Sequence, residues 1–281
     1  MRIDYHKWRD YKECPKKFNL RNIQKAPPTV PVNDYHRLYG RLIQKFFEMY
    51  CNIWRNKTPY LFPEIIREKM SELYEQLLMT STVRWGNTII CKLSKEEILE
   101  KAVKDAVTIM EGPSLNMFLG TKSEISIDVQ LKDGNVIDGR IDFLHNCPPP
   151  NQDQVILFDG KGTDKIGKNI DKDQLLFYSL LYYFQFNRPP DEIGFFYFQF
   201  STYIPVPLSE SILNEFRAKV SFDIKTITAD HKFEATPSAK SCKYCPYAIG
   251  CLECLKSKAS RARKSKITNI EGDGIVEFGL E

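Results

Sequence analysis

The stretch 137-IDGRIDFL-144, followed by 154-QVILFDGKGT-163 and 171-DKDQLLFYSLLYY-183, decides how the rest of the chain is read. Val136 to Leu144 and Gln154 to Phe158 are short apolar runs on either side of a Pro-rich turn, which predicts the two strands of a hairpin. Each run delivers an acidic residue near its working end, Asp142 and Asp159, and Lys161 follows two residues after Asp159. Side chains alternate along a strand, so Asp159 and Lys161 point to the same side. A helix is predicted over 173–186, with Gln174 and Tyr178 spaced i, i+4 on one face.

Two carboxylates converging from neighbouring strands are costly to keep close without a cation, and oxygen ligands suit Mg2+ or Mn2+ rather than Zn2+. Such an ion binds a scissile phosphate and lowers the pKa of a coordinated water. Lys161 would orient that water or neutralise charge growing on the phosphorane. An isolated Asp-x-Lys is common on surface strands, and it is the company of Asp142, Gln174 and Tyr178 that gives this one weight.

Composition sets the outer bounds. With 281 residues, 42% hydrophobic and 27% charged, the chain can bury a sizeable core. The N-terminal residues are charged from the second position, and no stretch approaches the roughly 20 apolar residues needed to span a bilayer. Secretion and membrane insertion are not expected, and a cytoplasmic location is. A net charge of +4 is too mild to announce nucleic-acid binding by itself.

Helices are expected over 4–22, 34–54, 64–78 and 97–110, the last behind a capping box formed by Ser94 and Glu97. Gly40, in the middle of the second, implies close packing there. The period then changes to strands at 122–131, 135–144, 154–159 and 193–204, with a further helix at 209–228. The expected fold class is α/β, a central mixed sheet flanked by helices. We expect one domain over residues 1–255: a helical part at 1–120, a sheet core at 121–240 and a cysteine-bearing segment at 241–255. A tail at 256–281 is basic, then acidic, and would dock a protein partner or stay disordered.

Eight cysteines in a chain of this kind favour metal or cluster ligation over disulfides. Cys242, Cys245 and Cys251 form C-x2-C-x5-C, and Cys254 follows three residues later. That spacing suits an iron-sulfur cluster or a structural Zn2+ with four cysteines. Cys14 and Cys254 are both open as the fourth ligand, whereas Cys51, Cys91 and Cys147 belong to no pattern.

At G-R-I-D (139–142), D-G-K (159–161) and Q-x-x-x-Y (174–178) the chain resembles the RecB-like branch of the PD-(D/E)XK nuclease superfamily. The resemblance runs over roughly residues 8 to 255, although 55–120 carries no matching motif. It implies a restriction-endonuclease-like core with a helical insertion, in which Asp142 and Asp159 ligate Mg2+ or Mn2+. The Gly160 carbonyl would add a ligand, Lys161 would be catalytic, and Gln174 and Tyr178 would be supports that face the substrate.

Iron-sulfur members of that branch carry an early Cys-Pro and a late C-x2-C-x5-C, matched here by Cys14 and by Cys242, Cys245 and Cys251. By that resemblance these four hold a [4Fe-4S] cluster that staples the two ends of the chain together. One departure stands out. Where the family places a histidine ligand on its Gly-x-x-x-His helix, this chain has Gln44, whose amide oxygen would be the substitute. Glu48 and Glu124 are other substitutes in principle, with a structural carboxylate as the plainer reading of each.

Relatives of this kind include CRISPR-associated nucleases, recombination nuclease subunits and phage exonucleases, many of them acting on single strands or ends. The expected activity is therefore a metal-dependent DNA exonuclease preferring single strands. Lys165, Lys168, Lys172 and the basic run 256–266 would line a phosphate-tracking groove. The alternative is an inactive iron-sulfur protein of the same fold that binds nucleic acid or scaffolds partners, its chemistry lost with the histidine.

Overall fold

A computed structural model describes residues 1–28, 35–54, 60–80, 94–146, 154–163, 165–167, 170–238, 241–242 and 245–256. Cys91, Cys147, Lys168 and the tail beyond Lys256 lie outside them. The chain divides into two compact units, Met1–Ile3 with Asn33–Ser221, and Asp4–Val32 with Phe222–Glu281.

The first unit is built on a six-stranded mixed sheet: β1 (Arg2–Ile3), β2 (Thr121–Gln130), β3 (Val136–Asn146), β4 (Val155–Lys161), β5 (Glu192–Tyr197) and β6 (Thr202–Val206). β3 is the hub. It pairs antiparallel with β2 along its length, parallel with β1 at Val136–Ile137, and antiparallel with β4 from Phe143 opposite Phe158 to Asn146 opposite Val155. β4 then pairs in parallel with β5, which turns back into β6.

Three helices, α3 (Tyr35–Met49), α4 (Pro63–Thr80) and α5 (Lys95–Glu111), share a core with the sheet. Its centre is aromatic. Phe143 and Phe158 stack across the β3–β4 pair with ring centroids 5.0 Å apart, and Phe47 of α3 stacks on Phe118 at 4.3 Å. A fourth helix, α6 (Lys172–Phe186), lies against β3, where Gly139 makes room for it. A Cβ at Gly139 would stand 2.6 Å from Leu181 Cδ1, so a side chain there would make the end of Leu181 shift.

The capping box on α5 forms as expected: Ser94 Oγ accepts from the Glu97 amide and the Glu97 carboxylate accepts from the Ser94 amide. Ser94→Ala is expected to cost about 1 kcal/mol of stability, read as a lower urea midpoint with unchanged slope.

Two expectations need correction. The apolar run 193–204 is not one strand: β5 ends at Tyr197, Phe198–Phe200 form a 3-10 turn, and Ser201 takes a left-handed backbone (φ 47°) before β6. The tight turn lets Phe198 bury itself against Phe47, and no glycine or asparagine marked it in the sequence. The N-terminal helix expected over 4–22 also breaks. Cys14 is extended (φ −171°, ψ 114°) between α1 (Tyr5–Glu13) and α2 (Pro15–Phe18), because the residue before a proline is pushed out of the helical region.

In the second unit, Trp8 of α1 is buried and its Nε1 donates to Asp223 at 3.0 Å; Asp223 lies on α7 (Glu210–Ala229), and Lys12 also pairs with it. Tyr11 donates to Asp230 at 2.8 Å and meets Phe18 and Phe233 edge-on. These contacts, with a short C-terminal helix α8 (Leu252–Lys256), bring the chain's early and late cysteines into one body.

Candidate active site

The site sits where β3 and β4 part. Their last ladder pair is Phe143 with Phe158, so one step further sets Asp142 opposite Asp159. Likewise, Ser123 pairs with Phe143 and Ile125 with Ile141, which leaves Glu124 of β2 opposite Asp142 from the other side. Glu124 takes a left-handed backbone (φ 57°), uncommon for a residue with a side chain, and the ladder skips it.

The Asp142 and Asp159 carboxyls act on one another. Burial first, then the charge and hydrogen bond of Asp159 and the charge of Glu124, push the Asp142 carboxyl well above the usual carboxylate range, while Lys161 pulls the other way. Asp159 is 3% exposed. The Lys161 ammonium lies 2.6 Å from Asp159 Oδ2, yet it is not aligned to hydrogen-bond that oxygen. Lys161 also donates to Gln174 Oε1 at 3.5 Å and stands 5.0 Å over the Phe195 ring.

Gln174 Nε2 in turn donates to the Tyr178 hydroxyl at 3.1 Å, giving a chain from Asp159 through Lys161 and Gln174 to Tyr178. Burial, then the charges of Asp142 and Asp159, raise the Tyr178 phenol above its ordinary value. Tyr178 therefore stays protonated, a donor and not an anion.

Gln44 reaches this region on α3, whose backbone touches the end of β4. A Cβ at Gly162 would lie 2.6 Å from Gly40 Cα, so the two glycines let helix and strand meet. Positions 40, 44 and 48 follow at helical steps along one face. Gln44 is partly buried, and no hydrogen bond joins it to either aspartate among the described residues. Glu48, a substitute in principle on the sequence, stands near the site on the same helix face. It is 7% exposed, pairs with Lys45 at 3.1 Å, and acts on Glu124. Burial first, then the charge and hydrogen bond of Glu48, push Glu124 up to about 7 against the pull of Arg140 and Lys45. Arg140 pairs with Glu124 Oε2 at 2.5 Å. The signal available in sequence was the two-turn spacing of Glu48 from Gly40.

Among the described residues, no three His, Cys, Asp or Glu side chains stand ready to grip one ion. Mg2+ does not require three: it is held by one or two carboxylates, keeps several waters and takes its other ligands from substrate phosphates. Two facing carboxyls whose charges oppose each other, with one buried oxygen lacking an aligned donor, fit a hard divalent cation.

Five cysteines, Cys14, Cys242, Cys245, Cys251 and Cys254, line a single cavity in the second unit, together with Lys17. Cys14 and its rival Cys254 are thus both at hand. Cys254 is 2% exposed and hydrogen-bonded with Cys242; burial, then that bond, raise its thiol above the ordinary value. Cys51 is elsewhere, its thiol donating to the Phe118 carbonyl. Lys165 and Lys172 are exposed.

The PD-(D/E)XK nuclease superfamily profile matches residues 5–252. Among solved structures, a candidate exonuclease from Eubacterium rectale aligns over 99% of this chain and 90% of its own, at 10% identity and a TM-score of 0.51, a likeness of fold alone. The structure of SSO0001 aligns over 75% of this chain and 94% of its own, at 15% identity and a TM-score of 0.33, too distant to support a shared fold. A search of curated proteins gave no match. No helix among the described residues is long and apolar enough to cross a membrane.

Proposed function

Because the chain belongs to the PD-(D/E)XK nuclease superfamily, we propose that it is a metal-dependent DNA nuclease of the RecB-like branch, an exonuclease on DNA ends that prefers single strands. The meeting of Asp142, Asp159 and Lys161 at the end of β4 carries this reading. Asp142 and Asp159 would hold Mg2+ or Mn2+, with the Gly160 carbonyl and the Gln44 amide as further oxygen donors. Bound there, the ion supplies a Lewis acid that polarises the scissile phosphate and acidifies a water.

The chain's own groups do the rest. Lys161, held between Asp159 and Gln174, keeps its ammonium where negative charge develops on the phosphate oxygens. Gln174 fixes the lysine and donates to the Tyr178 hydroxyl, which would face the substrate backbone. Arg140, with its side chain 65% exposed beside Asp142, is placed to meet a phosphate without entering the reaction.

In the second unit, Cys14, Cys242, Cys245 and Cys251 would hold a [4Fe-4S] cluster. Five cysteines line one cavity, enough thiols for a cluster whose four irons each take one thiolate. Its role is structural: it ties the segments around Cys14 and Cys242 together and makes their folding depend on the cluster.

End-labelled single strands, duplexes and closed circles, incubated with Mn2+ or Mg2+, test the nuclease reading. Progressive shortening of linear single strands, stopped by EDTA, is the expected result. Circles cut as fast as linear DNA would overturn the exonuclease assignment, and no cleavage by folded protein in either metal would leave the non-catalytic alternative.

A further inference from the structure

We propose that Lys17 is the internal counter-charge of the cysteine centre: its buried ammonium, fixed by Asp10 and Glu13 at the cavity wall, offsets the negative charge of the thiolates and sets the cluster's reduction potential and its hold on iron. The inference rests on the cluster reading above. It concerns residues that reading leaves unused.

Lys17 lines the same cavity as the five cysteines, and only 10% of its side chain is exposed. Its Nζ lies 2.8 Å from Asp10 Oδ1 and 2.5 Å from Glu13 Oε2. A lysine this deep is costly to keep charged, and burial does pull its pKa down; the hydrogen bonds to Asp10 and Glu13 more than reverse that, so the ammonium persists. Its charge acts on Cys245.

An ordinary buried ion pair would explain Lys17 if Asp10 needed it, but Asp10 is already served. Asp10, 1% exposed, also pairs with Arg21 at 3.1 Å and accepts from Asn22 at 3.4 Å. Glu13 has a second cation in Arg9 at 3.6 Å. Asp10 and Glu13 each have a second cation besides Lys17, so neither carboxylate depends on the lysine alone. Lys17 is the cation on the cavity wall. Four thiolates around a [4Fe-4S]2+ core carry a net charge of two minus, and reduction adds another electron. A fixed cation nearby favours the reduced form and lessens repulsion among the thiolates.

The neighbouring Lys16 supplies a comparison. It pairs with Glu253 at 2.9 Å, a carboxylate that also lies 3.2 Å from Cys251 Sγ, and the charge of Lys16 acts on Cys14 and Cys251 too. With its side chain 36% exposed, water screens it more than Lys17.

The test is a redox titration of the anaerobically purified full chain, followed by the electron paramagnetic resonance of the reduced cluster, with the rate of iron loss to a chelator as a second readout. Lys17→Met is expected to move the potential to more negative values and to release iron about tenfold faster, whereas Lys17→Arg stays near wild type and Lys16→Met shifts less. Asp10→Asn, which keeps the lysine in place, is expected to move the potential the opposite way. That reversal separates a charge effect from damage to packing, and it also serves if Lys17→Met fails to fold. Potentials unchanged in Lys17→Met, or shifted in the same direction by Asp10→Asn, overturn the proposal while leaving the cluster standing. Wild-type protein without iron and acid-labile sulfide overturns the cluster reading and this inference with it.

Discussion

Lys161→Met is expected to lower the rate of DNA cleavage by about 10²- to 10³-fold while leaving the fold intact. Methionine keeps the unbranched stem that packs near Phe195 and removes only the ammonium. In its place, Asp159 keeps its buried carboxylate without a cation beside Oδ2, and Gln174 loses the donor to its Oε1. If the lysine acts on charge that appears only as the phosphate is attacked, the loss falls on kcat and KM moves little. Single-turnover cleavage of an end-labelled strand in saturating Mn2+, with circular dichroism as the folding control, measures both. A variant that cleaves within about threefold of wild type, well short of one lost oxyanion donor, would remove Lys161 from the chemistry and leave the ion pair as a structural one.

Gly162→Ala is expected to destabilise the protein by about 1–3 kcal/mol and to depress activity beyond what the lost stability explains. The new Cβ would stand 2.6 Å from the Cα of Gly40 and 3.2 Å from the Tyr39 ring. Backbone cannot rotate aside as a side chain can, so α3 must move off the end of β4. That helix carries Gln44 and Glu48, and displacing it shifts both relative to Asp142 and Glu124. Tyr39 also donates to Asp105 of α5 at 2.6 Å, which ties α3 to the helical layer and limits how far it can yield. Urea denaturation gives the stability, and activity measured well below the midpoint isolates the effect on the site. Full stability in Gly162→Ala would mean that α3 does not seat on β4 as described.

Much of the site was legible because its rules are local. Asp159 and Lys161 share a side through the two-residue alternation of a strand, and antiparallel pairing brings Asp142 opposite Asp159 once the hairpin is recognised. The pairing of Gln174 with Tyr178 follows from helical spacing in the same way. The turn at Phe198–Ser201 was not legible, since a continuous aromatic run reads as a strand until a core exists for Phe198 to enter. Nor was the coupling of Glu48 to Glu124, which belongs to a strand that no motif connects to α3.

The sequence by itself determined the kinds of chemical group and their order: two aspartates and a lysine on a hairpin, a glutamine and a tyrosine on one helical face, and a cysteine before a proline far from a cysteine cluster. Only the tertiary structure decided that the Gly40–Gly162 contact seats α3 at the site, that Glu124 is forced up to about 7 by burial and by Glu48, and that Lys17 stands among five cysteines. The reason is physical. Periodicity fixes which way neighbouring side chains point, whereas the energy of a buried charge depends on groups brought close from distant parts of the chain, and on the water their packing removes.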